Sequence, residues 1–471
     1  MFHPAENERK FSVTKNTNMF FNKELILNII NRFKKMGGRE APSQSDLFTE
    51  PLAVNDPSVR IPRPEHIVSR RQISKSALTV LYELQRAGYR AFLVGGSVRD
   101  ILLNHQPKDF DVATNALPAQ VKEVFGRRCR LIGRRFLLAH VHLNREIIEV
   151  ATFRAHHDKG GGGVMKGNRI LRDNVYGTID EDAARRDFTV NALYYDINDF
   201  SILDYTGGIN DLQERTLRLI GEPELRYQED PVRMLRAARF AAKLTFDLEA
   251  STAEPIYKLG HLLREVHTAR LYEEVVKLFF TGHAVASFEQ LRQFDLFKQL
   301  FPQTEACLDS PIAFALIKQA LSKTDKRIRE NKPVTQGFLL AILLWCPVMR
   351  LLNDGTEDFN QSMLVKATHQ VLDAQNTYMA IPRRVTGLME EIWLLQPRLT
   401  PNKIKKRNLK VMEHPYFRAG YDFLMLRAES GEPVGKWVEQ WKRLQSGESA
   451  NEIIVRTKKP RYRRSRGPVN N

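Results

Sequence analysis

Residues 93–118, LVGGSVRDILLNHQPKDFDVATNALP, gather residue types that can handle phosphate and a divalent cation. Asp109 and Asp111 are one residue apart. In a strand, residues i and i+2 face the same way, so the two carboxylates project together. Neighbouring carboxylates repel unless a cation sits between them. Mg²⁺ suits such a pair, because it takes one or two carboxylates and completes its shell with water and substrate phosphate oxygens. Upstream, the apolar run AFLV ends in Gly95 and Gly96, where no Cβ keeps a ligand from backbone N–H groups. A helix is expected to start there, with Ser97 as its cap and Asp100 closing a capping box. Phosphate is the natural guest of such a turn. Glu149, in the apolar run EIIEVATFR, is a candidate third acid from an adjacent strand. A salt bridge to a nearby arginine explains it equally well. Together these residues point to metal-dependent phosphoryl or nucleotidyl transfer. Taken singly, they also fit a tight strand–helix turn and two surface aspartates at a strand end.

The elements that must position these residues can be read from the same sequence. ISKSALTVLYELQRAGYR (residues 73–90) predicts a helix that ends near Gly88, and AFLV predicts a strand. EIIEVATFR predicts a second strand, and short strands alternate with helices to about residue 212. HHDKGGGGVMKGNR (residues 156–169) reads as an exposed loop, and residues 39–65 read as a linker rich in Pro, Ser and Asp. From Pro231 onward the periodicity is helical to about residue 445, so an all-helical body follows an α/β head. MFFNKELILNIINRFKKMGG (residues 19–38) predicts an amphipathic basic helix in an N-terminal extension.

Composition bounds the partners. The chain has 471 residues and a net charge of +17, which predicts several domains and attraction to polyanions, nucleic acid first among them. RTKKPRYRRSRGPVNN, at the C-terminus, is expected to be a disordered polycation, and KIKKRNLK (residues 403–410) is a second basic stretch. Tyr416, Phe417, Tyr421, Trp437 and Trp441 fall at helical spacings and read as core rather than base-stacking platforms. The three cysteines, Cys129, Cys307 and Cys346, are far apart in sequence and form no CxxC. That argues against a zinc site and for a reducing, cytoplasmic setting. The longest apolar run, FLLAILLWC, is too short to span a bilayer and reads as a buried helix.

Four segments in order then resemble one family. LVGGSVRDILL…KDFDVAT, EDAARRDFTVNALYYD (residues 181–196), DYTGGINDL (residues 204–212) and EDPVRMLRAARFAAKL (residues 229–244) are similar to signatures of the polymerase-β-like nucleotidyltransferases. The branch is the one that holds bacterial poly(A) polymerases and CCA-adding enzymes. The resemblance implies an α+β architecture: a head with a mixed sheet at 61–215, a helical neck at 216–300, a helical RNA-binding body at 301–450 and a basic tail at 451–471, after an extension at 1–60. It implies that Asp109 and Asp111 bind two Mg²⁺ ions and that Gly95, Gly96 and Arg99 lie at the triphosphate of ATP. It implies a polar cluster of Arg185, Arg186 and Asp187 near the ribose and phosphates, with Asp187 as a required carboxylate and Glu149 as its rival. Asp230 is expected to cap a helix beginning at Pro231, with Arg233 beside it. A carboxylate acceptor and a guanidinium donor side by side can read the edge of adenine without a nucleic-acid template.

Three regions separate the branch members. Residues 61–84, residues 414–432 and the arginine-rich tail resemble poly(A) polymerases more than CCA-adding enzymes. Sequence-blind phosphate contacts suit an enzyme that accepts many RNA 3′ ends. The expected activity is AMP transfer from ATP to RNA 3′-hydroxyls, in mRNA polyadenylation and RNA decay. The expected enzyme is a monomer, with RNA-degradation machinery as a protein partner. The rivals are tRNA CCA addition, a catalytically inactive RNA-binding module and a nucleotidyltransferase for small molecules.

Overall fold

The computed structural model describes residues 59–446, apart from 134–136, 156–162, 167–168, 174, 354–360 and 402–405. Short runs rich in aliphatic and aromatic residues make one eight-stranded sheet. Its strands are β1 (Val59–Ile61), β2 (Ala91–Val94), β3 (Asp111–Thr114), β4 (Cys129–Ile132), β5 (Leu138–Leu143) and β6 (Glu146–Thr152). After a separate hairpin of β7 (Gly163–Lys166) and β8 (Arg169–Asp173) come β9 (Leu193–Asp196) and β10 (Ile202–Asp204). The order is β1-β10-β9-β2-β3-β6-β5-β4. Only β3 and β6 run parallel, so the sheet is mixed, as expected.

Both faces of the central strands are covered, and alternation sorts their side chains. On one face Leu93, Val112, Ile148 and Tyr195 pack with helix α1 (Lys75–Arg86). Ser74 caps α1, its hydroxyl accepting from the Ala77 N–H. Helix α2 (Gly96–Leu102) follows β2 directly, and α3 (Pro118–Phe125) adds Val121 and Phe125 to the same core. On the opposite face Phe92, Val94, Ala113 and Tyr194 pack with Ile179 and Ala183 of α4 (Ile179–Arg185).

Beyond α5 (Gly208–Glu214) the described chain is helical, apart from a two-residue strand pair at Thr216–Leu217 and Asp247–Leu248. Helices α6 (Pro223–Glu229), α7 (Val232–Leu244), α8 (Ala250–Leu259) and α9 (Thr268–Phe279) lead into a body that ends with the helix Gly435–Gln445. Phe417, Tyr421 and Trp441 are core residues, as expected, whereas Tyr416 is exposed. The run FLLAILLWC is buried almost throughout, and no helix among the described residues is long and apolar enough to cross a membrane.

Some expectations need correction. The linker reading of residues 39–65 runs too far, because Val59–Ile61 pairs as an edge strand with β10. The glycine-rich stretch carries β7 and the start of β8. Of the basic stretch at 403–410, the part from Lys406 is a 3₁₀ helix. The helix expected at 19–38 and the basic tail lie outside the described residues.

Candidate active site

One buried phenylalanine orients the acidic pair. Phe110 and Val112 point into the core, so Asp109 and Asp111 share the other face and are exposed. Asp111 opens β3, whereas Asp109 lies just before the strand rather than within it. The pairing of β3 with β6 sets Glu149 directly beside Asp111. Ile148 and Val150 are core residues, so Glu149 takes the Asp111 face. Its Oε1 is 3.4 Å from His140 Nε2 on β5, so the partner is a histidine rather than an arginine. Desolvation, then repulsion from Glu149, pushes the Asp111 carboxyl up to about 6; Arg186 opposes the rise and Asp109 adds to it. Among the described residues no three or more His, Cys, Asp or Glu side chains close around one point.

Gly95 supplies the turn beside this patch. Its φ of +75° favours glycine, and a Cβ there would lie 3.6 Å from Arg186 Nη1. The expected capping box is absent. Gly95 is the cap residue of α2 with no side-chain bond, the Ser97 hydroxyl donates to the Val94 carbonyl, and Asp100 holds Arg99 instead. Arg99 is buried, with Nε and Nη2 on Asp100 Oδ1 at 2.9 and 2.5 Å and Nη1 on Asn191.

Arg186 and Asp187 are adjacent in sequence but face different neighbours. Arg186 donates from Nη2 to Asp182 Oδ2 at 3.0 Å and from Nε to the Tyr194 hydroxyl at 2.9 Å. That hydroxyl itself donates to Asp182 at 2.7 Å. Burial works against the Asp182 charge, but Arg186 and then Arg154 bring its carboxyl below the usual range. Asp187 faces helix α7, where Arg233 Nε donates to Oδ1 at 3.0 Å and Arg236 Nε lies 2.5 Å from Oδ2. Burial opposes the Asp187 charge too, yet Arg236 and then Arg233 draw its carboxyl down to about 2. The acid set beside Asp111 by strand pairing is Glu149, whereas Asp187 is paired to Arg233 and Arg236.

Asp230 and Arg233 lie close enough for the Asp230 charge to favour the Arg233 guanidinium, but each side chain takes a different hydrogen-bond partner. Helix α7 begins at Val232, with Pro231 as its cap residue and no side-chain cap bond, so Asp230 does not cap it. Both Asp230 oxygens accept from Arg270 of α9, at 2.8 and 2.6 Å. Arg233 is held by Asp187, by Glu229 Oε2 at 3.0 Å and by the Arg226 carbonyl at 2.7 Å. Arg226 in turn donates to the carbonyls of Arg185 and Arg186, at 2.7 and 2.9 Å. The neck helices are thereby tied to the segment that carries Arg186 and Asp187.

Comparison with known proteins follows these elements. The sequence matches the family descriptions Poly A polymerase head domain over residues 91–218, Probable RNA and SrmB- binding site of polymerase A over 245–308, and Polymerase A arginine-rich C-terminus over 357–470. It is 45% identical over 422 residues to Poly(A) polymerase I of Salmonella typhimurium, covering 87% of this chain and 90% of that relative. The chain belongs to the bacterial poly(A) polymerase family. A CCA-adding enzyme of Lactobacillus helveticus is 38% identical over 288 residues, covering 61% of this chain and 66% of that protein. The crystal structure of the Bacillus stearothermophilus CCA-adding enzyme with CTP shares the fold at a TM-score of 0.54 and 24% identity, over 83% of this chain and 88% of that one.

Within this poly(A) polymerase family chain, sequence reading missed the residues that hold the expected ones. Asp182 and Tyr194 fix Arg186, Arg236 pairs with Asp187, Arg270 pairs with Asp230, and Lys243 lies 3.6 Å from Asp100. The spacing of Arg233, Arg236, Arg239 and Lys243 along one helix was a usable signal, since steps of three and four residues line one face.

Proposed function

We propose that this chain is a template-independent poly(A) polymerase that transfers AMP from ATP to RNA 3′-hydroxyls. The observation that carries the reading is Asp109, Asp111 and Glu149 on one face of the sheet beside the Gly95 turn, in a chain similar to poly(A) polymerases over most of its length. In the reaction the 3′-oxygen bonds to the α-phosphorus, the bond from that phosphorus to the bridging oxygen breaks, and pyrophosphate leaves.

Asp109 and Asp111, with Glu149 beside them, would hold Mg²⁺ ions. When bound, these lower the pKa of the attacking hydroxyl and neutralise charge on the triphosphate. The Gly95 N–H is donated to the Leu193 carbonyl at 3.1 Å, so Gly96, the first residue of α2, would offer its N–H to phosphate oxygens, with Arg186 as the nearby fixed cation. Arg99, fully engaged with Asp100 and Asn191, braces this turn. Asp187 acts through Arg233 and Arg236, orienting donors toward the nucleotide. Asp230 and Arg233 select adenine, each pre-aligned by an ion pair. The helical body and the basic tail bind RNA 3′ ends without regard to sequence, as counterion release favours. In the cell the enzyme works as a cytoplasmic monomer in mRNA polyadenylation and RNA decay.

A primer-extension assay tests this reading. Purified protein, an unstructured RNA oligonucleotide, Mg²⁺ and ATP should give a long ladder, and CTP alone should give little. Extension confined to tRNA lacking its 3′ end, and stopping after three nucleotides, would make the chain a CCA-adding enzyme. No extension of either RNA would leave only an RNA-binding module.

A further inference from the structure

Two of the three cysteines, 39 positions apart in sequence, meet in the helical body. Cys307 lies in the turn between the helices Pro302–Glu305 and Pro311–Arg329, and Cys346 in the first turn of Trp345–Asn353. Both are free thiols, and both line one cavity of about 390 Å³ together with Asp309, Met349 and Arg350. Cys307 is buried and Cys346 is half-buried, while Arg350 and Asp309 reach solvent. The two thiols and the Arg350 guanidinium line the same cavity, close enough for Cys346 and Arg350 to favour the ionised form of Cys307. Arg350 is itself fixed by a 2.8 Å bond from Nη1 to the Ala306 carbonyl. None of the head or neck residues assigned above lines this cavity.

We propose that Cys307 and Cys346 form an oxidisable dithiol, a modification site that closes to an intramolecular disulfide on reaction with a hydroperoxide. The two sulfurs have unequal parts. Hydrogen bonding from Cys346, followed by Arg350, stabilises the Cys307 thiolate against the opposing effect of burial and brings its pKa below the usual thiol range. Cys346, as the donor, is held protonated by that same bond, by burial and by the charges of Cys307 and Glu432, with Arg350 opposing. The thiolate is the nucleophile in thiol oxidation, and a thiol next to it resolves the product. Cys307 sulfur attacks one peroxide oxygen, the O–O bond breaks, and with one proton taken up the products are a sulfenic acid and water. Cys346 sulfur then attacks the sulfenic sulfur, and its proton leaves with the hydroxyl as a second water. Overall two thiols lose two electrons and two protons, and one hydrogen peroxide becomes two waters. Cys129 is the internal contrast: it is buried and its thiol is raised by that burial, with Lys122 opposing.

The test treats full-length protein with a small excess of hydrogen peroxide and then with an alkylating reagent. The expected result is a mass lower by two hydrogens, one peptide linking Cys307 to Cys346, an alkylated Cys129, and full reversal by dithiothreitol. In Cys346→Ser, dimedone should trap a sulfenic acid at Cys307; in Cys307→Ser, labelling of Cys346 should fall at least tenfold. Arg350→Met should slow alkylation of Cys307 at pH 7 several-fold and leave Cys129 unchanged. Disulfides between molecules, equal oxidation of Cys129, or oxygen gained at Met349 with both thiols intact would each overturn the proposal. The wild-type peptide map decides the matter even if a cysteine variant fails to fold, and its outcome is independent of which nucleotide the enzyme adds.

Discussion

Two carboxylates of this protein sit in opposite electrostatic settings. Asp111 lies beside Glu149 and near Asp109, and its carboxyl is pushed up to about 6. Asp187 lies between Arg233 and Arg236, and its carboxyl is drawn down to about 2. At neutral pH the first region holds repulsion that Arg186 only partly offsets, and the second is balanced within the fold. A cluster of like charges short of counter-charge suits a ligand of the opposite sign, whereas a carboxylate between two arginines holds other groups in place. The contrast supports the proposed division of roles, cation binding at the inner strands β3 and β6 and alignment of donors at the neck.

The largest effects should come from the unpaired region. Asp109→Ala or Asp111→Ala should lower nucleotide incorporation by about 10³-fold, the loss of several kcal/mol of charge stabilisation, with no fall in melting temperature. A variant that tails RNA at the wild-type rate would remove the basis of the comparison. Glu149→Gln should act more mildly, raising the Mg²⁺ concentration needed for half-maximal rate about tenfold and leaving stability intact.

Asp187→Asn should show the reverse pattern. Leaving Arg233 and Arg236 without their carboxylate should cost about 3 kcal/mol of stability, read in a urea melt. A folded-state pKa below the unfolded value means that this contribution is present above about pH 4 and is lost as pH falls toward 2. A marked increase in Mg²⁺ requirement without loss of stability would instead move Asp187 to the cation-binding region.

Arg270→Gln should have a smaller effect. It leaves the fold of the head untouched but frees Asp230, so the KM for ATP should rise several-fold and CTP should be incorporated more readily. Steady-state kinetics with each nucleotide would show this, and unchanged selectivity would detach Asp230 from base choice.

The smallest effect concerns pH. The folded-state value of Asp111 is above the ordinary carboxylate value of 3.8, so the metal-free folded protein binds this proton more tightly than the unfolded chain. Stability from this group is therefore full below about pH 4 and declines as pH rises through 6. In EDTA, Asp111→Asn should melt above wild type by a margin that grows from pH 4 to 6 and then levels off. Mg²⁺ should narrow that margin, and a margin independent of pH would contradict the assignment.

The sequence by itself determined the local part of this protein. Alternation along β3 turns Asp111 away from the core side that Val112 takes, and Asp109, just before the strand, is exposed beside the buried Phe110. Helical periodicity marked the chain from Pro231 onward as helix, and residue order carried the family resemblance. Only the tertiary structure decided which charges meet. The parallel register of β3 and β6 put Glu149 beside Asp111, a pairing of strands 38 positions apart that no local pattern encodes. Packing of the neck gave Asp230 to Arg270 and Arg233 to Asp187, so two residues that look like neighbours on one helix became members of two separate pairs. The same long-range packing joined Cys307 to Cys346. Local geometry follows from bonds along the chain, whereas charge and thiol pairing depend on which distant surfaces the hydrophobic core brings together.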